Sequence, residues 1–180
     1  MLKRFWDSWG RELLVAVLIG LFIRAEVAEA RVVPTPSMVP TVLPGDRLLA
    51  EKLVYRFTGP HRGDIIVFRP PLSDENSRLL STMGLEDDFL KRVIGLPGDK
   101  VEIRDGKVLI NGTPLTEPYI AAPPNYVFGP KVVPPGQLFV LGDNRNNSYD
   151  SHAWGFLDES AVRSRAVVRF WPPSRIDVLH

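Results

Sequence analysis

The chain has 180 residues and a mass of 20.2 kDa, which is enough for one globular domain and a short appendage. Its 44% hydrophobic and 24% charged residues argue against intrinsic disorder, and 17 Pro with 14 Gly disfavour an all-helical fold. A net charge of +1 gives no reason to expect a nucleic-acid partner. Because the chain has no Cys, it can form neither disulfides nor zinc–thiolate sites, and it offers no thiol nucleophile.

The histidines give no metal-ligand pattern. His61, His152 and His180 are the only three, and none lies within a few residues of another. We therefore expect no metal and no cofactor.

One long apolar run, Leu13 to Ile23, lies near the N-terminus. A bilayer core requires about 20 residues of helix, so a spanning helix has to begin near Phe5 and carry charged residues at its end. More basic residues precede the run than follow it, which predicts a cytoplasmic N-terminus and an external body. The predicted organisation is a cytoplasmic segment over 1–12, a single-pass anchor in the cell membrane with a juxtamembrane segment over 13–30, and an external domain over 31–180.

Two other interpretations of this region stay open. Ala28-Glu29-Ala30 is an A-x-A pattern, as at the cleavage site of a signal peptide that is removed. Alternatively, the run is a buried amphipathic helix, although an unbroken apolar stretch lacks the polar face of such a helix.

The chain after Arg31 has the pattern of a β protein. Val101 to Leu115 alternates between apolar and polar residues and is interrupted by Asp105-Gly106 and Asn111-Gly112, which predicts a three-stranded meander with type I′ turns. Further strands are predicted at Ile65 to Arg69, Gln137 to Leu141 and Ala166 to Trp171.

Two segments lack strand character. Leu72 to Asp88 is predicted to be a flexible excursion, and the Pro-rich stretch Ala121 to Pro135 an irregular connection. The fold class that follows is mainly β: an antiparallel open barrel or sandwich of short strands with a small β cap around 100–136, preceded by one N-terminal transmembrane helix.

Ser37 is the candidate nucleophile. It lies in the Pro-rich segment Pro34 to Thr41, which predicts a rigid loop and a well-positioned hydroxyl. Serine requires a neighbouring base, and His152, near Asp150 and Ser148, is one candidate. No nucleophile elbow surrounds any serine, so the evidence for a triad is weak.

Lys91 is the other candidate base. Strand alternation places its side chain on the apolar face of Phe89 and Val93, away from Arg92. A free lysine has a pKa near 10.4, and burial in apolar surroundings can lower this to about 7. The alternative is a solvated lysine at the end of a strand.

Four segments together resemble type I signal peptidases, the membrane-anchored serine-lysine endopeptidases that remove signal peptides. They occur in the order of that family, behind an N-terminal apolar segment. The resemblance covers nearly the whole chain except Leu72 to Asp88 and the Pro-rich connection. The four segments are Pro34 to Thr41, Gly45 to Lys52, Lys91 to Asp99, and Gly142 to Ser151 followed by Trp154-Gly155-Phe156.

The resemblance implies a catalytic function for the external domain. It implies Ser37 as nucleophile, Lys91 as general base and Ser148 as hydrogen-bond partner of the lysine amine. The hydroxyl of Thr35 and the backbone N–H of Ser37 would form the oxyanion hole. Supporting roles behind the site are implied for Asp143, Arg145 and Asp150.

The implied substrates are the signal peptides of preproteins, cut after small residues at A-x-A-like sites, with the lipid bilayer as a second partner. The substrate pocket would comprise Val33, Met38, Phe89 and Leu90, although an ordinary core role is the alternative for these residues. Two positions depart from the family: His152 replaces the usual arginine, and Pro36 replaces the commoner glycine before the serine.

Two functional alternatives remain open at this point. One is a serine-lysine relative that processes a single dedicated partner or itself. The other is a catalytically silent, membrane-tethered β domain that binds secreted peptides.

Overall fold

The structure is a computed structural model that describes residues 2–22, 26–71 and 88–179. The N-terminal element, α1, is a 21-residue helix over Leu2–Phe22. From Trp9 to Leu21 its large apolar side chains are exposed, among them Leu13 at 67% and Leu21 at 58%. In the described part of the chain, no helix combines the length and the apolar character needed to cross a membrane.

Antiparallel strands form two sheets in the described residues, which confirms the mainly β prediction. The larger sheet has the strand order β1-β2-β11-β3-β4-β9-β10, and β12 pairs with β11. Its strands are β1 (Ala28–Val32), β2 (Arg47–Glu51), β3 (Ile65–Phe68), β4 (Phe89–Gly95), β9 (Gln137–Leu141), β10 (Leu157–Asp158), β11 (Val162–Trp171) and β12 (Asp177–Val178).

The smaller sheet has the order β7-β6-β5-β8. Its strands are β5 (Lys100–Arg104), β6 (Lys107–Ile110), β7 (Thr113–Pro114) and β8 (Phe128–Val132). Positive φ angles at Asp105, Gly106, Asn111 and Gly112 produce the two tight turns of the β5-β6-β7 meander. The meander predicted from the D-G and N-G pairs is therefore present in the structure.

Strand β9 is buried on both faces and separates two parts of the core. Leu138 and Val140 pack with Val93 of β4 in one apolar cluster. Phe139 and Leu141 point the other way and join a cluster with Val101 and other residues of the smaller sheet. Because successive side chains of a strand alternate between faces, one continuous apolar run can join the two sheets.

Two predictions about loops have different outcomes. The stretch Ala121 to Pro135 is not wholly irregular, because it contains β8, which pairs with β5. Pro130 is tolerated there since β8 is an edge strand of the smaller sheet. The excursion Leu72 to Asp88 lies outside the described residues except for Asp88. The predicted domain boundaries, including the cap over 100–136, stay a prediction.

The A-x-A motif lies within a strand. Ala28, Glu29 and Ala30 belong to β1 and pair with residues Leu49 to Glu51 of β2. A cut after Ala30 would therefore divide a strand of the larger sheet.

Candidate active site

Ser37 is held in a short 3-10 turn over Pro36–Met38 and is only 7% exposed. Pro36 begins the turn, where its fixed φ angle suits a helical start and its missing N–H leaves no hydrogen bond unmade. Asn144 holds the turn from outside. Its backbone N–H donates to the Ser37 carbonyl at 3.0 Å, and its Nδ2 donates to the Pro36 carbonyl at 3.1 Å. Sequence reasoning missed Asn144, although it lies next to Asp143 in the fourth family segment.

Lys91 reaches Ser37 from β4. Its Nζ lies 2.7 Å from Ser37 Oγ, and the residue is 4% exposed. The Nζ also lies 5.3 Å from the centre of the Phe89 ring, two residues away on the same face of the strand. The structure thus brings together the two residues that sequence analysis selected as nucleophile and base.

Burial lowers the pKa of Lys91 from 10.5 to about 8, because the charged ammonium loses its hydration. The negative charges of Asp150 and Asp143 act in the opposite direction and limit the drop. At pH 8 about half of the Lys91 amines are neutral, against well under one in a hundred for a free lysine. A neutral amine 2.7 Å from a hydroxyl can accept its proton.

Thr35 and Ser148 lie at the same site. Thr35 Oγ1 is 3.3 Å from Ser37 Oγ. Ser148 Oγ is buried and makes no hydrogen bond with any described residue, so the structure lacks the predicted bond to the Lys91 amine. Gly142 separates Ser148 from the nucleophile turn, because a Cβ at Gly142 would overlap both Ser148 Oγ and the Ser37 carbonyl oxygen.

Asp143 lies behind Lys91 and forms an ion pair that the sequence did not reveal. Arg92 donates from Nε and Nη2 to its two carboxylate oxygens, at 2.9 and 2.8 Å. Thr41 Oγ1 also donates to Asp143, at 2.5 Å. The alternation that places Lys91 on one face of β4 places Arg92 on the other, and Arg92 lies in the third family segment, but neither signal indicated its partner.

Arg145 forms the second buried ion pair. It donates from Nη1 and Nη2 to Glu117, at 3.0 and 2.7 Å, and from Nε to the Gly142 carbonyl. The ring of Tyr119 lies 4.0 Å from the Arg92 guanidinium carbon and 6.0 Å from that of Arg145. Neither Glu117 nor Tyr119 was predicted, because their segment has no local pattern that marks a buried role.

Asp150 is the third supporting carboxylate. It accepts the backbone N–H of Gly142 at 2.9 Å and that of His152 at 3.2 Å, the latter at the start of α2 (Ser151–Trp154). His152 Nδ1 lies 2.7 Å from the same carboxylate.

The histidines do not form the predicted alternative triad among the described residues. Ser37 Oγ hydrogen-bonds with Lys91 and Thr35, whereas His152 pairs with Asp150. His61 is exposed on another turn, with Nδ1 3.7 Å from Asp64. His180 lies outside the described residues.

The four predicted pocket residues divide between two apolar clusters. Val33 and Met38 are buried in one cluster, against which Leu90 packs. Phe89 is half-buried against the other cluster, where its ring meets that of Phe68 edge-on at 6.1 Å. Met38 is fully buried, so in this structure it underlies the surface beside Ser37 without reaching it.

Comparisons with known proteins found a matching family model and similar chains. A family model described as signal peptidase, peptidase S26, matches residues 6–171. The chain is 49% identical over 174 residues to the probable signal peptidase I-2 of Synechocystis sp. (strain ATCC 27184 / PCC 6803 / Kazusa), covering 97% of this chain and 77% of that protein. It is 52% identical over 167 residues to signal peptidase I of Leptolyngbya laminosa, covering 92% and 79%.

A crystal structure of a signal peptidase I from Enterococcus faecalis V583 is 33% identical and covers 61% of this chain and 98% of its own, with a TM-score of 0.49. The family match extends over nearly the whole described chain, including every segment that builds the site around Ser37. This chain belongs to the signal peptidase family, peptidase S26, and is a serine peptidase.

Proposed function

We propose that this enzyme removes signal peptides from secreted preproteins, with Ser37 as nucleophile and Lys91 as general base. The observation that carries the proposal is the 2.7 Å distance between Lys91 Nζ and Ser37 Oγ in a buried setting. Burial favours the neutral amine, and only the neutral amine can take the hydroxyl proton. The names of the curated relatives support the choice of signal peptides as substrates.

The proposed reaction has two stages. Lys91 takes the proton of Ser37 as Oγ attacks the scissile carbonyl, and the oxyanion accepts hydrogen bonds from Thr35 Oγ1 and the Ser37 N–H. The Lys91 ammonium then returns the proton to the leaving amine, which yields an acyl-enzyme. In the second stage Lys91 deprotonates a water molecule that attacks the ester, and the Lys91 ammonium returns the proton to Ser37 Oγ as the C–Oγ bond breaks.

Ser148 is the proposed partner of the Lys91 amine during this cycle. Its hydroxyl is buried and has no hydrogen-bond partner among the described residues. A buried hydroxyl without such a partner destabilises the folded state. A rotation that brought Ser148 Oγ to the amine would satisfy it and direct the lysine lone pair toward Ser37. Asp143, Arg145 and Asp150 support the loop that carries Ser148.

The apolar side chains near Ser37 support a proposed specificity for small side chains. Val33, Met38 and Leu90 pack together, and the Phe89 ring lies beside the Lys91 amine. Side chains of this size would leave a substrate only a shallow pocket. A preprotein with Ala at the two small positions of an A-x-A site should therefore be cut, and one with Phe there should not.

Membrane attachment is proposed to occur through α1, with the N-terminus cytoplasmic and the catalytic domain outside. The leucines of α1, Leu13, Leu14, Leu18 and Leu21, are each more than half exposed and form an apolar surface. Burying each in lipid is worth about 1.5 to 3 kcal/mol. Leu14→Glu with Leu18→Glu should release the enzyme from the membrane fraction, whereas Val127→Glu with Ile176→Glu should not. Release by neither pair would contradict the role of α1.

The central test uses a model preprotein and purified enzyme. Ser37→Ala and Lys91→Ala should each lower kcat/KM by at least about a thousandfold. Ser174→Ala and Lys107→Ala change exposed residues of the same types and should leave the rate unaltered. Normal cleavage by either of the first two variants would overturn the proposal.

A further inference from the structure

Asp143 and Asp150 both act to raise the pKa of Lys91, against the effect of burial. Their own negative charges are balanced in different ways. Asp143 pairs through two hydrogen bonds with Arg92, which is always a cation, and both side chains are buried. Asp150 pairs with His152, whose side chain is 25% exposed. Within the described residues, His152 is the only basic side chain that pairs with Asp150. Asp150 is therefore balanced by a group whose charge can change.

A continuous set of contacts joins this pair to the nucleophile and base. His152 Nδ1 and the Gly142 N–H bind different oxygens of Asp150, at 2.7 and 2.9 Å. Gly142 packs directly between Ser148 and the Ser37 carbonyl. The Ser37 hydroxyl in turn meets Lys91 Nζ at 2.7 Å. Both the charge on Asp150 and its position are thus linked to Lys91.

We propose that His152 is a positioning residue that tunes the general base through its contact with the Asp150 carboxylate. The inference rests on the proposed role of Lys91. When His152 is a cation it offsets Asp150, and neutral Lys91 becomes easier to form. When His152 is neutral, the full negative charge of Asp150 favours the protonated form of Lys91.

The other ionisable groups around the pair do not replace His152. Tyr126 stacks on its ring at 4.1 Å, and burial raises the pKa of that tyrosine, so it stays neutral. Arg145 and Glu117 act on this tyrosine through their charges but balance each other in a bidentate ion pair. Arg92 forms an ion pair with Asp143 near Lys91. His152 is left as the adjustable charge.

The experiment compares a permanent cation with a permanently neutral side chain. His152→Arg should lower the titration midpoint of the Lys91 amine relative to His152→Gln, by roughly 0.3 to 1 pH unit. The midpoint is read directly from the ζ nitrogen resonance of Lys91 in protein labelled with nitrogen-15 lysine, assigned with Lys91→Arg. The acid limb of kcat/KM for the model preprotein should move by the same amount in the same direction.

His61 provides the matched control, because it also lies near a carboxylate but on a turn away from the site. His61→Arg and His61→Gln should leave the Lys91 midpoint unchanged. Equal midpoints for the two His152 variants, or the reverse order, would overturn the inference even if both fold and cleave. If Ser37→Ala still cleaved while the midpoints differed as expected, the proposed mechanism would fail and the tuning would stand.

Discussion

Arg92 and Asp143 form a fully buried bidentate ion pair, with exposures of 1% and 0% and two hydrogen bonds of 2.9 and 2.8 Å. The pair joins the strand that carries Lys91 to the loop that begins at Gly142. Because that loop also holds the carbonyl of Ser37 through Asn144, the pair ties the base to the nucleophile turn through the interior of the protein.

Removing Arg92 should therefore be strongly destabilising. In Arg92→Met the Asp143 carboxylate loses its cation while it stays buried, and such a loss costs about 3 to 5 kcal/mol of the free energy of unfolding. Urea unfolding would measure it. Arg165→Met is the control, because Arg165 pairs with Glu51 where both side chains are 32% exposed, and the expected cost is below about 1 kcal/mol. Equal losses in the two variants would contradict the importance of burial.

Gly142→Ala should lower the rate at which the enzyme cleaves a preprotein. The added Cβ would overlap Ser148 Oγ and the Ser37 carbonyl oxygen, and it would lie 2.7 Å from Ser148 Cβ. Displacing the nucleophile turn by about 1 Å should cost about a hundredfold in kcat. Gly59→Ala is the control, since a Cβ there meets nothing within 4 Å. Preprotein cleavage by Gly142→Ala at the rate of the control would refute this view of the site.

The rate of cleavage should rise with pH through about 8. Neutral Lys91 is the active form of the base, and burial places its pKa at about 8. Below that pH, kcat/KM should fall about tenfold per pH unit, and above it the rate should level off. Initial rates between pH 5.5 and 9.5, with a substrate that has no group titrating in this range, would measure it. A midpoint near 10.5 would show that the working lysine is solvated.

Lys91→Met should be more stable than the wild type at pH 7. The folded protein releases the lysine proton near pH 8, whereas the unfolded chain keeps it to about 10.5, so the charged lysine weakens folding at low pH. The expected gain at pH 7 is about 1 to 3 kcal/mol, and it should shrink as the pH rises from 8 to 10.5.

Urea unfolding of this variant at pH 7 and pH 10 provides the measurement. Lys107→Met, which changes an exposed lysine of β6, should show no such pH dependence. A destabilisation by Lys91→Met that is equal at both pH values would mean that Lys91 is not desolvated in the folded protein.

Local patterns predicted much of the fold. The D-G and N-G pairs indicated the β5-β6-β7 meander, because only a few residue types accept positive φ at both turn positions. The limits of β9 agreed with its apolar run. The strand β8 was missed, because Gly129 and Pro130 at its centre are typical of loops and only pairing with β5 makes the segment a strand.

The sequence by itself determined the candidate chemistry: a serine in a proline-rigid turn, a lysine on an apolar strand face, and no thiol to compete with them. The charged pairs that surround the serine and the lysine were decided only by the tertiary structure. Arg92 with Asp143, Glu117 with Arg145, and His152 with Asp150 join positions that lie from 2 to 51 residues apart. Sequence periodicity reports which face of an element a residue occupies, whereas hydrogen bonding and desolvation depend on which face of another element lies opposite.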